Sequence, residues 1–196
     1  MLIFATALLA LMSGALFYAA RIPTEIALEQ AAPQPRTLEV VTHPVFTLPD
    51  LAGENREFSE WDGSHRLINF WATWCAPCRR EIPMLKAFQE EHGAAGFQIL
   101  GVAIDYPDLV LPFAEEADFN YPILTGQQDA MAIAESSGIE FIGMPFTMIV
   151  ARDGEYLGAY LGELHQSHLD DIVNILTRLD HGEINKKEAS GAFDLL

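Results

Sequence analysis

The chain holds two cysteines, Cys75 and Cys78, two residues apart within "FWATWCAPCRREIPML" (70–85). A nearly continuous apolar run, "RLINFWA" (66–72), leads into them. Such a run has the length and composition of a buried strand. Behind the cysteines a helix is predicted to about Glu91, where His92-Gly93 supplies a stop. A buried strand that feeds at once into a helix, with a dithiol at the junction, admits few architectures.

The alternation continues downstream. "FQILGVAID" (97–105) reads as the next buried strand, 107–117 as a helix and 121–124 as a short strand. Residues 129–138 have helical spacing and a Gly stop. "PFTMIVARDGEYLGAYLG" (145–162) reads as a hairpin turning at Asp153-Gly154. "SHLDDIVNILTRLD" (167–180) is an amphipathic helix with its Ser capping the start, and the residues after His181 read as a frayed tail. Strands alternating with helices, then a hairpin and a final helix, indicate an α/β layered sheet.

At the front, "LIFATALLALMSGALFYAA" (2–20) runs nineteen residues without a formal charge. At ~1.5 Å per residue it spans roughly 29 Å as a helix, close to the hydrocarbon thickness. It reads as an uncleaved membrane anchor, with a cleaved signal sequence as the rival. The rival wants a basic start and small residues at the cut. No Lys or Arg precedes this run, and cutting after Ala19 or Ala20 places Phe17 or Tyr18 where a small residue belongs. Arg21 on the downstream side mildly opposes an N-in orientation. Residues 21–44, rich in Pro, Ala and Glu, read as a tether; 45–180 form the globular domain and 181–196 a tail.

Half the residues are hydrophobic, as a folded domain requires. The formal charge is −17, from 28 acidic against 11 basic residues, with no basic run longer than Arg79-Arg80 or Lys186-Lys187. A phosphate backbone would be repelled, so nucleic acid is not an expected partner.

Three uses of a Cys-x-x-Cys pair fit poorly. Zinc needs two further ligands, and only His165 and His168, at i and i+3, stand close in sequence; as polar residues beside a helix start they need no metal. Haem attachment wants His directly after the second cysteine, where Arg79 stands. A structural disulfide closing so short a loop restrains little of the unfolded chain. A dithiol that opens and closes remains. Thiolate is the attacking species, and at a helix mouth Cys75 meets unpaired N–H groups and the positive dipole end. Pro77 suits the first helical turn. Cys78, further in, is shielded yet able to attack a mixed disulfide at Cys75. Cys75 is therefore expected as the nucleophile and Cys78 as the resolving thiol. Arg79 and Arg80 either lower both thiol pKa values further or are simply solvated.

With those residues in view, the chain resembles the thioredoxin superfamily, and specifically its membrane-anchored TlpA/ResA/CcmG branch, over about 45–180. "FWATWCAPCRREIP", with Pro83 five residues after Cys78, and "GMPFTMIV" carry the resemblance. It implies a thioredoxin-like fold, a central mixed sheet flanked by helices, with an inserted βα segment within 101–124 and a preceding N-terminal transmembrane helix. It also implies that Met144-Pro145 is a cis-proline loop facing Cys75, an ordinary trans turn being the alternative. Together with Trp74, Ala76 and Pro77, that loop would bind substrate as an added strand. Glu81, three residues after Cys78, matches an acidic residue beneath the active site in ResA-like proteins. Where thioredoxins carry a buried Asp, this chain has Asn69. A carboxylate near buried sulfur has a raised pKa and exchanges a proton with Cys78; the alternative is a surface Glu paired with Arg80 or Lys86.

What the resemblance implies for activity is a protein disulfide reductase on the periplasmic side of the inner membrane, without cofactor or metal. Its partners would be protein disulfides and a membrane thiol donor of the DsbD/CcdA type. Apocytochrome c and copper-site cysteines are substrates in this branch, and the sequence does not choose between them. A peroxiredoxin needs Pro and Thr at set positions before its reactive cysteine; Thr73 is two before Cys75 and no proline precedes it in the strand. A Sco-like copper carrier has three residues between its cysteines, not two. A tethered adaptor with an incidental dithiol is the reading from another class.

Overall fold

The computed structural model describes residues 42–138 and 143–196. The run at 2–20, expected as a membrane helix, lies outside them, as does most of the expected tether. Among the described residues no helix is long and apolar enough to cross a membrane.

Strand β3 (His65–Trp71) is buried at every position. It pairs in parallel with β4 (Phe97–Ile104), which pairs in parallel with β5 (Ile123–Gly126). On its other side it runs antiparallel to β6 (Phe146–Val150), which pairs with β7 (Tyr156–Leu161). The mixed five-stranded sheet thus has the order β5-β4-β3-β6-β7. Ahead of it, β1 (Thr47–Pro49) and β2 (Asn55–Glu57) form a small antiparallel pair that the sequence does not predict. At three residues each, these strands are too short for an alternation to register.

Helix α1 (Ala76–His92) follows β3, α2 (Pro107–Ala117) links β4 to β5, α3 (Gln128–Glu135) follows β5, and α4 (Gln166–Asp180) follows β7. The short strand expected at 121–124 lies two residues further on, and the helix expected to Gly138 stops at Glu135. Helix α4 starts one residue before the expected Ser cap. His165 is the cap residue, and its backbone N–H donates to His168 Nδ1 at 3.1 Å.

Successive strand residues point to opposite faces, and β3 sorts accordingly. Leu67 and Trp71 join Leu85 and Phe88 of α1 and Leu169 and Ile172 of α4 in one core. Ile68 and Phe70 join Phe58, Leu124, Ala130 and Ala134 in the other. Asn69 therefore points toward α1. Trp71 packs against Phe113 of α2 and Phe119 beyond it, at 5.3 and 5.4 Å between ring centroids, which fixes α2 beside the strand leading to the cysteines.

The frayed tail expected after His181 is instead a helix, α5 (Lys186–Phe193). Asn185 accepts the Glu188 N–H at 3.0 Å while Glu188 Oε2 accepts the Asn185 N–H at 2.8 Å, a reciprocal cap that starts it. Ala189 and Phe193 are buried against the sheet. Gly158 of β7 makes room: a Cβ there would stand 2.8 Å from Phe193 Cβ. At the other end, Thr42 O accepts the Tyr156 N–H at 2.7 Å.

The topology brings several chain segments to one end of the sheet. Phe70 pairs with Phe146, so the antiparallel β6 begins where β3 ends. Phe146 pairs in turn with Leu161, so β7 ends there too. Trp71 pairs with Ala103, which brings the end of β4 alongside.

Candidate active site

Cys75 is the N-cap of α1, in extended conformation, and Pro77 stands in the first turn as the sequence predicts. Its Sγ accepts the Cys78 backbone N–H at 3.3 Å. The two sulfurs are bonded to each other, with their Cα atoms 5.3 Å apart. Cys78 has no solvent exposure and Cys75 retains 5%. Ala76 and Trp74 are exposed, Trp74 at 69%. An N-cap sulfur facing orphan N–H donors sits where a thiolate is stabilised.

One turn along α1, Glu81 is 2% exposed. Asn69 Nδ2 donates to its Oε1 at 2.9 Å, and the Leu164 backbone N–H donates to its Oε2 at 2.7 Å. Asn69 Nδ2 also reaches Thr147 Oγ1 at 3.1 Å, across the β3–β6 register that pairs these two residues. Burial pushes the Glu81 carboxyl up to about 7, the two hydrogen bonds pull it down, and the nearby charge of Glu163 pushes it up. Burial wins because only two donors replace a full hydration shell. The surface alternative is absent. Arg80 instead holds Glu163 through Nε to Oε1 at 3.0 Å and a second, shorter bond to Oε2. Lys86 Nζ donates to the Ala117 carbonyl at 2.8 Å.

The Met144–Pro145 peptide bond is cis. Pro145 is buried immediately before β6, and Met144 packs against the core cluster that contains both cysteines. The Pro145 carbonyl accepts the Gly162 N–H at 2.9 Å. Gly162 has φ 132°, a conformation that only glycine adopts without strain, and it turns the chain into the loop that presents Leu164 to Glu81.

Sequence reasoning missed a second carboxylate. Asp105, 5% exposed, accepts the Thr73 N–H at 3.0 Å and the Thr73 hydroxyl at 2.5 Å on Oδ2, and the Tyr106 N–H at 2.8 Å on Oδ1. The signal was a charged residue ending the largely apolar run "FQILGVAID". Thr147 and Leu164 were also missed, the latter because only its backbone takes part. A cleft of about 720 Å³ lies between α1 and α2, lined by Ile82, Pro83 and Phe113 and edged by Arg79, Lys86 and Glu116. It borders Ala76 but neither cysteine. Among the described residues, no three His, Cys, Asp or Glu stand close enough to share a metal ion.

The arrangement suits thiol–disulfide exchange, and known proteins agree. The profile of the AhpC/TSA family matches residues 41–156. Thiol-disulfide oxidoreductase ResA of Geobacillus kaustophilus is 33% identical over 136 residues, covering 67% of this chain and 76% of its own. A secreted thiol-disulfide isomerase from Corynebacterium glutamicum superposes with a TM-score of 0.60 at 26% identity, over 66% of this chain and 81% of its own. A thiol:disulfide interchange protein of the thioredoxin family from Chlorobium tepidum superposes with a TM-score of 0.63 over 70% of this chain and 97% of its own; at 23% identity that likeness is one of fold. The chain belongs to the AhpC/TSA family of thioredoxin-like proteins and is a ResA-like thiol-disulfide oxidoreductase.

Proposed function

We propose that the protein reduces disulfides of other proteins in an extracytoplasmic compartment, anchored in the membrane by residues 2–20. In the reduced state the Cys75 thiolate attacks one sulfur of the substrate disulfide. A mixed disulfide forms and the other substrate sulfur leaves as thiolate. Glu81 takes the proton of Cys78, whose sulfur attacks Cys75 Sγ and expels the second substrate thiolate. Two electrons pass from the dithiol to the substrate, and the Cys75–Cys78 disulfide remains. A membrane dithiol of the DsbD/CcdA type then restores the dithiol by the reverse exchange, with Glu81 returning its proton to Cys78.

The observation that carries this reading is the division of labour along α1. Cys75 caps the helix and keeps a slight exposure, while Cys78 is sealed and a buried carboxylate, its pKa pushed up to about 7, lies one turn beyond it. The cis Met144–Pro145 loop lies at the same end of the sheet, and its backbone supports a role in pairing with an extended substrate segment.

Direction is tested by the reduction potential of the couple. Thioredoxin-like reductants and DsbA-like oxidants differ by about 150 mV, or ~7 kcal/mol for two electrons. Equilibration with glutathione is expected to give a value near the reducing end, about −270 mV; a value near −120 mV would reverse the assignment. Reduction of insulin disulfides, lost in Cys75→Ser, separates the enzyme from a tethered adaptor. A Cys78→Ser variant would hold the physiological partner as a mixed disulfide.

A further inference from the structure

Three large apolar side chains stand exposed around one carboxylate at the edge of the active site: Trp74 at 69%, Tyr106 at 59% and Leu109 at 49%. Asp105 receives the backbone N–H of Thr73 on one oxygen and that of Tyr106 on the other. The loop carrying Trp74 and the loop carrying Tyr106 are therefore held a single carboxylate apart. The parallel register of Trp71 with Ala103 makes both loops leave the same end of the sheet. The Leu109 N–H donates to the Tyr106 carbonyl at 2.9 Å in the first turn of α2, which puts Leu109 on the Tyr106 side of that helix. None of the three side chains belongs to either core cluster.

Exposed apolar area of this kind, next to a reactive group, marks a contact surface. Its occupant follows from its position. Cys75 is 5% exposed and sits directly after Trp74, so a protein disulfide that reaches its sulfur brings its flanking residues onto these side chains. We propose that Trp74, Tyr106 and Leu109 form an apolar rim that selects disulfides flanked by a large apolar side chain. The rim deepens the disulfide reductase reading and rests on it. Asp108, exposed in the same turn, adds repulsion against acidic segments. Asp105 sets the spacing between the two loops through its two backbone hydrogen bonds.

The test uses the full chain, reduced beforehand, and single-turnover second-order rate constants for two synthetic disulfide peptides. One carries Phe beside its cystine and the other Gly. The expected result is a preference of about tenfold for the Phe peptide, the size of one well-buried aromatic contact. In the double variant Tyr106→Ser, Leu109→Ser that ratio falls to about two or less. A ratio near one in the wild type, or a preference that survives in the variant, overturns the rim. Hydroxyethyl disulfide, too small to span these side chains, probes the dithiol alone. If the wild type oxidises with the peptides and with this reagent, yet without selectivity, only the rim fails. If it reacts with none of them, the reductase reading fails and takes the rim with it.

Discussion

The backbone N–H of Leu164 donates to Glu81 Oε2 at 2.7 Å, so the loop between β7 and α4 closes over a carboxylate that α1 carries one turn beyond Cys78. Asn69 holds the opposite oxygen. Arg80 and Glu163 tie that loop to α1 from outside, which keeps Leu164 seated. Glu81 is thus kept dry but not isolated, and its titration near neutrality follows from the balance.

Glu81 makes the fold sensitive to pH in a calculable direction. Its folded pKa, about 7, lies above the ordinary 4.5, so the native state binds the proton more tightly than the unfolded chain. That stabilisation is fully present below pH 4.5 and is lost as pH rises to 7. Glu81→Gln cannot titrate. Variant stability relative to wild type is expected to rise by about 3 kcal/mol between pH 4 and pH 8, read by urea unfolding of the oxidised proteins. A constant difference across that range would mean that the carboxyl is hydrated.

The same group should shape the kinetics. Oxidation of the reduced protein by a disulfide peptide is expected to show an inflection near pH 7 that Glu81→Gln removes, with a rate loss on the order of 10²-fold above it. Glu163→Gln, which withdraws a neighbouring negative charge, should move the inflection downward. Stopped-flow profiles of the three proteins decide this, and an unchanged profile in Glu81→Gln would demote Glu81 to a packing role.

Position on the helix separates the two thiols: Cys75 is the N-cap and keeps a slight exposure, while Cys78 lies inside the first turn and has none. In the reduced protein Cys75 should react with iodoacetamide at least ~10-fold faster than Cys78 at neutral pH, as peptide mass spectrometry would register. Equal labelling would contradict the nucleophile and resolving assignments.

Asp105→Ala removes the acceptor for two backbone N–H groups and a hydroxyl at a buried position. A loss of about 2 kcal/mol in unfolding free energy is expected, because three hydrogen bonds to one carboxylate are lost. Thr73→Val, which removes the hydroxyl alone, should cost about 1 kcal/mol.

The membrane assignment has its own test. Full-length chain should sediment with membranes, and a chain starting at Thr37 should not. A soluble full-length protein would favour cleavage of the apolar segment.

Much of the fold was legible because its signals are local. The apolar run before Cys75, the Pro at the helix start and the stop at His92-Gly93 each act within one turn or one strand, and β3 and α1 formed where they indicated. The hairpin turn at Asp153-Gly154 and the helix at Pro107–Ala117 are of the same kind. The C-terminal helix was missed although its reciprocal cap, Asn185 to Glu188, was readable; short and weakly apolar, it gains its order from Ala189 and Phe193 docking on the sheet.

By itself the sequence determined the layered α/β class and the position of the dithiol at a strand-to-helix junction; the candidacy of Glu81 came from the resemblance, supported by its helix spacing from Cys78. Tertiary structure decided what surrounds that carboxylate. Its partners come from 12 residues upstream and 83 downstream, and Asp105 reaches 32 residues back to Thr73. Contacts of that separation depend on strand register and on loop closure. Both are settled by the packing of the whole core, which no short window of sequence encodes.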